Sequence, residues 1–380
     1  MRGRLRVVFA SALLLTATVA GIFVARDPLL RVADSSLVIA RHELQSEIRM
    51  PATTWPVRDP AEEGFAVDRL EAFRNAIGRY SSGCVIKDGA LIFAWGEPDR
   101  NGEWGSATKP IFTTMLMFAI QEGLIDSADD SVQRFVSGLS EADRAMTLRQ
   151  LTNMTSGYTL PEAPGAAWAY NDYGTKLFYK ALLEGVFGTL HTNAAAVQAL
   201  LEGHHRLAPL EFEDGDLVTI WSDAIRLNMS PRDYARVGMF WLNKGTWAGT
   251  RILADSLFDR YIRVGVPVDL QRTAGAPPDD YLRIGTTGAS NNVYALGPGS
   301  YGFMLWFNDS RRLWPDVPED AFQANGHNNR EALTVIRSLG LVVAWHHGWK
   351  VAGNAHDFNG SMNDALKLLL ESLPGQAGSK

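Results

Sequence analysis

The sequence predicts an α+β fold: an antiparallel sheet flanked by N- and C-terminal helices, with a mainly helical segment inserted between the first strands and the last. Three observations predict it. An amphipathic helix near the start leads into two apolar, β-rich runs around an Asp-Gly pair. From Tyr301 onward strand-like runs follow one another, and an amphipathic helix closes the chain. Between about Asp126 and Val293 the pattern is one of helices and loops.

The first residues stand apart from that body. "MRGRLR" carries three arginines, and the next charge is Arg26. A basic start before a long apolar run is an export signal or a membrane anchor, here assigned to residues 1–33. The run from Val7 to Ala25 is nearly long enough to span a bilayer. The small residues needed for cleavage are met only loosely by "ATVA" ending at Ala20, which favours an uncleaved anchor through residues 7–25. The positive-inside bias then puts the rest of the chain on the periplasmic or extracellular face, anchored or, after cleavage, secreted. Residues 34–60, mixed and rich in Pro and Asp, read as a linker to a body over 61–375.

Composition bounds the function. The chain has 380 residues, 46% hydrophobic and 21% charged, enough for one large domain or two intermingled ones. A net charge of -6 argues against a nucleic-acid partner, which calls for a basic patch. Cys84 is the only cysteine, so no internal disulfide can form.

Within the body, "AVDRLEAFRNAIGRY" is an amphipathic helix, and "GCVIKDGALIFAWG" is a hairpin turning at Lys87-Asp88-Gly89. "GSATKPIFTTML" opens a helix that is apolar on most faces and ends at Gly123, with Ser106 and Lys109 expected in its first turn. Pro110 agrees with a helix start. The 126–295 segment is the helical insertion. "YGFMLWFN", "ALTVIRSL" and "GLVVAWHH" are strands, and "SMNDALKLLLESL" is the closing helix.

Ser106 and Lys109 are the first chemistry candidates. Residues three apart on a helix share a face. A serine hydroxyl needs a base, and a lysine serves if burial or a nearby cation lowers its proton affinity. On spacing alone the commoner reading is a capping serine beside a solvated lysine. Trp168 and Trp221 are candidates for lining an apolar acyl pocket. "GPGSYG", Gly297 to Gly302, matches a dinucleotide pattern but precedes a strand, so it reads as a loop. No Gly-x-Ser-x-Gly occurs, which argues against an α/β-hydrolase elbow. The adjacent pairs His204-His205 and His346-His347 chelate poorly, and no metal-binding motif is visible.

Five segments raise the standing of the Ser-x-x-Lys. In order they are "IKDGALIFAWGEPDRNGEWGSATKPI", "MTLRQLTNMTSGY", "PGAAWAYNDYGTKLF", "NMSPRDYARVGMFWLNKGTWAGTRIL" and "NGHNNREALTVIRSLGLVVAW". Together the stretch from about Pro60 to Leu373 resembles the serine β-lactamase and penicillin-binding-protein superfamily, in its class C and esterase-like branch. The resemblance implies the β-lactamase/transpeptidase fold and a serine hydrolase working through an acyl-enzyme, without a cofactor. It implies Ser106 as nucleophile, Lys109 as its partner base and Tyr170 as proton carrier. His327 matches the third motif, with a hydrogen bond to Tyr170 or to a substrate carboxylate. The resemblance also implies Asn328 and Asn329 as substrate-binding neighbours. One oxyanion N–H is expected near Asn329 or Arg330 and the other from Ser106.

Two departures bear on substrate. Asp172 stands where the family's tyrosine motif usually has Asn, and an ionised carboxylate cannot donate to a substrate carbonyl. It should also attract a proton onto Lys109. Asn329 stands where Gly is usual, and its side chain is expected to narrow the cleft edge. Both point to a small-molecule ester or amide. A D-amino-acid peptidase or weak β-lactamase of the same fold is the alternative. A non-catalytic penicillin-binding-like sensor is a further one.

Overall fold

The computed structural model describes residues 54–375, apart from 204, 216, 222–223, 288–295 and 353–359. The proposed signal or anchor, residues 1–33, and most of the linker lie outside the described residues. Among the described residues no helix is long and apolar enough to cross a membrane.

The body is built on a seven-stranded antiparallel sheet. Its first hairpin is β1 (Ser82–Lys87) with β2 (Ala90–Trp95), and its last strands are β8 (Tyr301–Gly302), β9 (Leu305–Phe307), β10 (Ala321–Gly326), β11 (Glu331–Ile336) and β12 (Leu341–His346). The order across the sheet is β2-β1-β12-β11-β10-β9-β8. Thus β12 returns to pair with β1, Val85 opposite Val343. The first and last of these strands thus meet in one sheet, as the α+β reading expects.

Both faces of the sheet are covered, which is why β11 and β12 are buried at every residue and carry no polar alternation. On one face lie the terminal helices α1 (Val67–Ile77) and α8 (Gly360–Glu371). Leu70, Phe73 and Ile77 of α1 join Met362, Leu366 and Leu369 of α8 and Val85, Val343 and Trp345 of the sheet in one core. On the other face lies α6 (Pro231–Leu242), capped by Ser230, whose side chain accepts from the Asp233 N–H. Gly238 lets α6 come close: a Cβ there would stand 2.6 Å from Val342 and 2.9 Å from Leu333.

After the first hairpin comes α2 (Lys109–Gln121), and the inserted region then holds the short α3 (Leu148–Thr152), α4 (Asp172–Tyr179), α5 (Ala194–Leu201) and α7 (Asp255–Tyr261). It is less purely helical than expected. The strands β4 (Val218–Trp221) and β5 (Ala224–Met229) form a hairpin, β5 pairs with β3 (Gly102–Glu103), and β6 (Thr246–Trp247) pairs with β7 (Thr250–Arg251).

Three further differences have physical reasons. "YGFMLWFN" is a tight hairpin instead of one strand, because Phe303 and Met304 take left-handed φ values of 49° and 68°. "AFQANG" is the unexpected strand β10. Its polar Gln323 and Asn325 are buried because they bond to Thr334 and Asn329 within the same sheet and turn. The end of the expected linker lies against the body: the Leu91 N–H donates to the Pro56 carbonyl at 2.8 Å, and the Arg58 N–H to the Leu91 carbonyl at 3.1 Å.

Candidate active site

Ser106 sits on a 3-10 turn, Gly105–Thr108, that runs straight into α2. It therefore precedes the α-helix whose first residue is Lys109, a correction to the expectation that both lie in one helical turn. The turn is clamped from several sides. The Trp104 indole donates to the Met229 carbonyl at 2.8 Å, and the Leu227 N–H to the Thr108 hydroxyl at 2.9 Å. The Tyr234 hydroxyl donates to the Ala107 carbonyl. Gly326, at the end of β10, packs so tightly that a Cβ would lie 2.2 Å from the Trp104 carbonyl oxygen. Ser106 thus stands on a fixed platform between β5, α6 and the end of the main sheet.

Lys109 points back beneath the serine. Its Nζ lies 2.7 Å from Ser106 Oγ, 3.0 Å from the Tyr170 hydroxyl and 2.9 Å from Asp172 Oδ1. An ammonium has three N–H donors, and here are three acceptors. The side chain is 1% exposed. Burial works against its charge, but the Asp172 carboxylate, with Tyr170 and Tyr179, outweighs burial and holds the proton more tightly than in a free lysine. The direction agrees with the expectation for a carboxylate at position 172.

Asp172 and Tyr170 are delivered by the start of α4. Asn171 between them is the N-cap, its side chain accepting from the Tyr173 N–H at 2.8 Å and donating to the Tyr158 carbonyl at 2.9 Å. Tyr170 is held by its ring, stacked on Trp306 at 6.3 Å between centroids. Burial pushes the Asp172 carboxyl up, but Lys109 and the Thr287 hydroxyl, which donates to Oδ2, bring it below the usual carboxylate range.

Several expected site residues lie elsewhere or act differently. Trp168 is fully buried in the core, edge-on to Tyr301 and Trp306, so it is packing behind Tyr170 and not the wall of an acyl pocket. Trp221, by contrast, is 56% exposed at the end of β4, with the Arg226 guanidinium over its ring. Asn329 turns inward: its backbone N–H donates to Asn325 Oδ1 at 3.0 Å, and its side-chain oxygen accepts from the Asn325 amide. It therefore does not edge the cleft. The Asn329 and Arg330 N–H groups both close the turn, the latter onto the His327 carbonyl at 3.4 Å, so neither is the free oxyanion donor expected there. Asn328 is half-buried in the same turn. Asp172 serves Lys109, which removes it from the substrate-binding set.

His327 does reach the platform. A Cβ on Gly105 would lie 2.5 Å from its Cε1, so the ring covers the residue just before the serine, and Gly105 has to be glycine there, at φ +50°. Its Nδ1 lies 2.6 Å from Glu331 Oε2, and Arg330 Nε donates to Glu331 Oε1 at 2.6 Å. Sequence reasoning missed Glu331, Thr287 and the buried Tyr179 beside Lys109. The only signal for Glu331 was its place four residues after the motif histidine.

The geometry assembles a serine, a buried lysine and a tyrosine around one point, with a carboxylate-bound histidine at the rim. By fold the chain is similar to a Bacillus anthracis protein assigned provisionally as a 6-aminohexanoate-dimer hydrolase, at 17% identity and TM-score 0.56, over 86% of this chain and 90% of that one. It is similar to a Mycobacterium bovis beta-lactamase, at 15% identity and TM-score 0.54, over 80% and 99%. It is also similar to EstCE1, a hydrolase with promiscuous acyltransferase activity, at 14% identity and TM-score 0.53, over 79% and 98%. At these identities the likeness shows the shared fold. A search of curated proteins finds no match. The family model described as Beta-lactamase matches residues 82–344, well over half of the sequence, and the chain belongs to that family.

Proposed function

We propose that the protein is a serine hydrolase that works through an acyl-enzyme on a small ester or amide. The observation that carries the reading is the buried Lys109 Nζ held within 2.7 Å of Ser106 Oγ and 3.0 Å of the Tyr170 hydroxyl. A solvated lysine beside a capping serine would be exposed and would contact neither.

In this reading the Lys109–Tyr170 pair first gives up one proton to solvent, and Ser106 Oγ then attacks the substrate carbonyl carbon as its own proton passes to that pair. The carbonyl electron pair moves onto oxygen and is met by backbone N–H groups, with that of Ser106 among them. Collapse expels the alcohol or amine, which takes the proton from the same pair. Water then attacks the acyl-enzyme and releases the acid. Asp172, engaged with Lys109 and Thr287, offers no amide to a substrate carbonyl, which favours simple esters and amides over penicillins. The basic start and apolar run of residues 1–33 support placing this chemistry outside the cytoplasmic membrane.

Intact-protein mass tests the proposal on the body of the chain, after incubation with a fluorophosphonate and, separately, with a penicillin. A phosphonate adduct lost in Ser106→Ala supports the acyl-enzyme reading. A penicillin adduct would shift it towards peptidases and β-lactamases. Folded protein that takes neither reagent overturns it and favours a non-catalytic binding role.

A further inference from the structure

The Lys109–Asp172 pair makes this site electrically unlike one built from serine, lysine and tyrosine alone. Lys109 brings a positive charge to Ser106, and Asp172 cancels it from 2.9 Å, both side chains out of solvent. Among the described residues, the other titratable and charged groups facing Lys109 are Tyr170 at the start of α4, Tyr179 at its end and Arg226 from β5, the last paired with Glu103 at 3.3 Å. Thr287 completes the arrangement by donating to the second Asp172 oxygen. At rest, with the tyrosines neutral, Lys109 and Asp172 sum to no net charge. Taking the serine proton requires that the Lys109–Tyr170 pair first lose one of its own, which leaves the buried cluster with a net negative charge. Without the carboxylate the same loss would only discharge a cation. An opposite charge at this range favours the protonated form by about 1–3 pH units.

We propose that Asp172, braced by Thr287, is a positioning residue that sets the working pH of the nucleophile: it completes a neutral buried pair with Lys109, so that Ser106 becomes competent only in the alkaline range. This rests on the acyl-enzyme reading of the site. The bond changes are those of that reading, and only the pH at which the accepting base becomes free is new.

Two measurements test it. The first is the pH profile of kcat/KM for a p-nitrophenyl ester, in wild type and in Asp172→Asn, which keeps the side-chain shape. The acid limb should fall to lower pH by about one unit or more in the variant, so that activity near pH 7 rises about ten-fold relative to the alkaline plateau. Thr287→Val should move the limb the same way by less. An acid limb that stays in place in folded Asp172→Asn, or moves to higher pH, overturns the proposal. The second is the 15N signal of Lys109 Nζ, assigned by its loss in Lys109→Met. In wild type it should remain an ammonium to a pH at least about one unit above that in Asp172→Asn. Equal titration in both overturns the proposal. That readout needs no turnover, so a protein that fails to acylate sinks the hydrolase reading while the charge assignment is still decided.

Discussion

Lys109 Nζ and Asp172 Oδ1 lie 2.9 Å apart with side chains 1% and 7% exposed, so each is the other's main compensation for leaving water. Breaking a buried pair by removing one partner typically costs about 3–5 kcal/mol, whereas replacing both with apolar groups of similar size is often neutral. Lys109→Met and Asp172→Leu should each lower the free energy of unfolding by about that amount. The double variant should unfold near wild type. Urea melts of the four proteins measure this, and additive losses would show that the two groups are not coupled.

Tyr170 bonds to Lys109 through its hydroxyl, while its ring is fixed by Trp306 and Tyr301. Tyr170→Phe keeps the ring packing and removes the proton carrier. Its kcat for ester hydrolysis should fall about 10²–10⁴-fold with the melting temperature little changed. A variant of near-normal kcat would leave proton transfer to Lys109 alone.

Glu331 is 1% exposed and accepts from both His327 and Arg330, one on each oxygen. A carboxamide has one acceptor oxygen and turns an NH2 towards one of those donors. Hydrogen bonds to charged groups contribute about 1.5–3 kcal/mol. Glu331→Gln should therefore release the His327 ring and lower kcat/KM about ten-fold or more, with the fold intact by circular dichroism. An unchanged kcat/KM would mean that the ring's orientation over Gly105 does not matter to turnover.

The parts of this molecule that were legible in the sequence are those carried by local pattern. The Asp-Gly hairpin, the buried helix behind Ser106 and the terminal helices depend on near neighbours, whereas Ser106, Lys109 and Tyr170 were picked out as a set by the resemblance of five ordered segments, since Tyr170 meets Lys109 across 61 positions. Position 172 was legible too, because a carboxylate's pull on a lysine is a matter of charge alone. What could not be read are contacts that the tertiary fold makes across long separations. Thr287 reaches Asp172 across 115 positions. Asn329 turns inward because Asn325, near the end of β10, supplies both an acceptor and a donor for it. Strand β10 was hidden because Gln323 and Asn325 break an apolar pattern that the sheet itself satisfies with side-chain bonds.

Cys84 lies on β1 against the start of α6, fully buried, its thiol 3.4 Å from the Pro231 carbonyl oxygen. Burial pushes the thiol up to about 12, so almost no thiolate exists at neutral pH. The folded protein should give no reaction with Ellman's reagent, and one thiol per chain should appear on denaturation, since the sequence has a single cysteine. Rapid labelling of the native protein would show that β1 and α6 separate readily.

His346 ends β12 with its Nε2 3.2 Å from the Arg100 carbonyl oxygen, and burial, reinforced by the neighbouring His347, lowers it to about 4. The unfolded chain takes up the same proton near the ordinary value of about 6.5. Below that pH the unfolded state binds more protons than the folded one, so stability falls as acidity grows. The contribution is fully present above about 6.5 and is lost progressively down to about 4, a span worth about 3 kcal/mol. In His346→Gln this part of the acid sensitivity should be gone: the urea midpoint should change less between pH 7 and pH 4.5 than in wild type. Parallel losses in the two proteins would mean that His346 meets water, or a proton, in the folded state, and that acid destabilisation comes from the carboxylates instead.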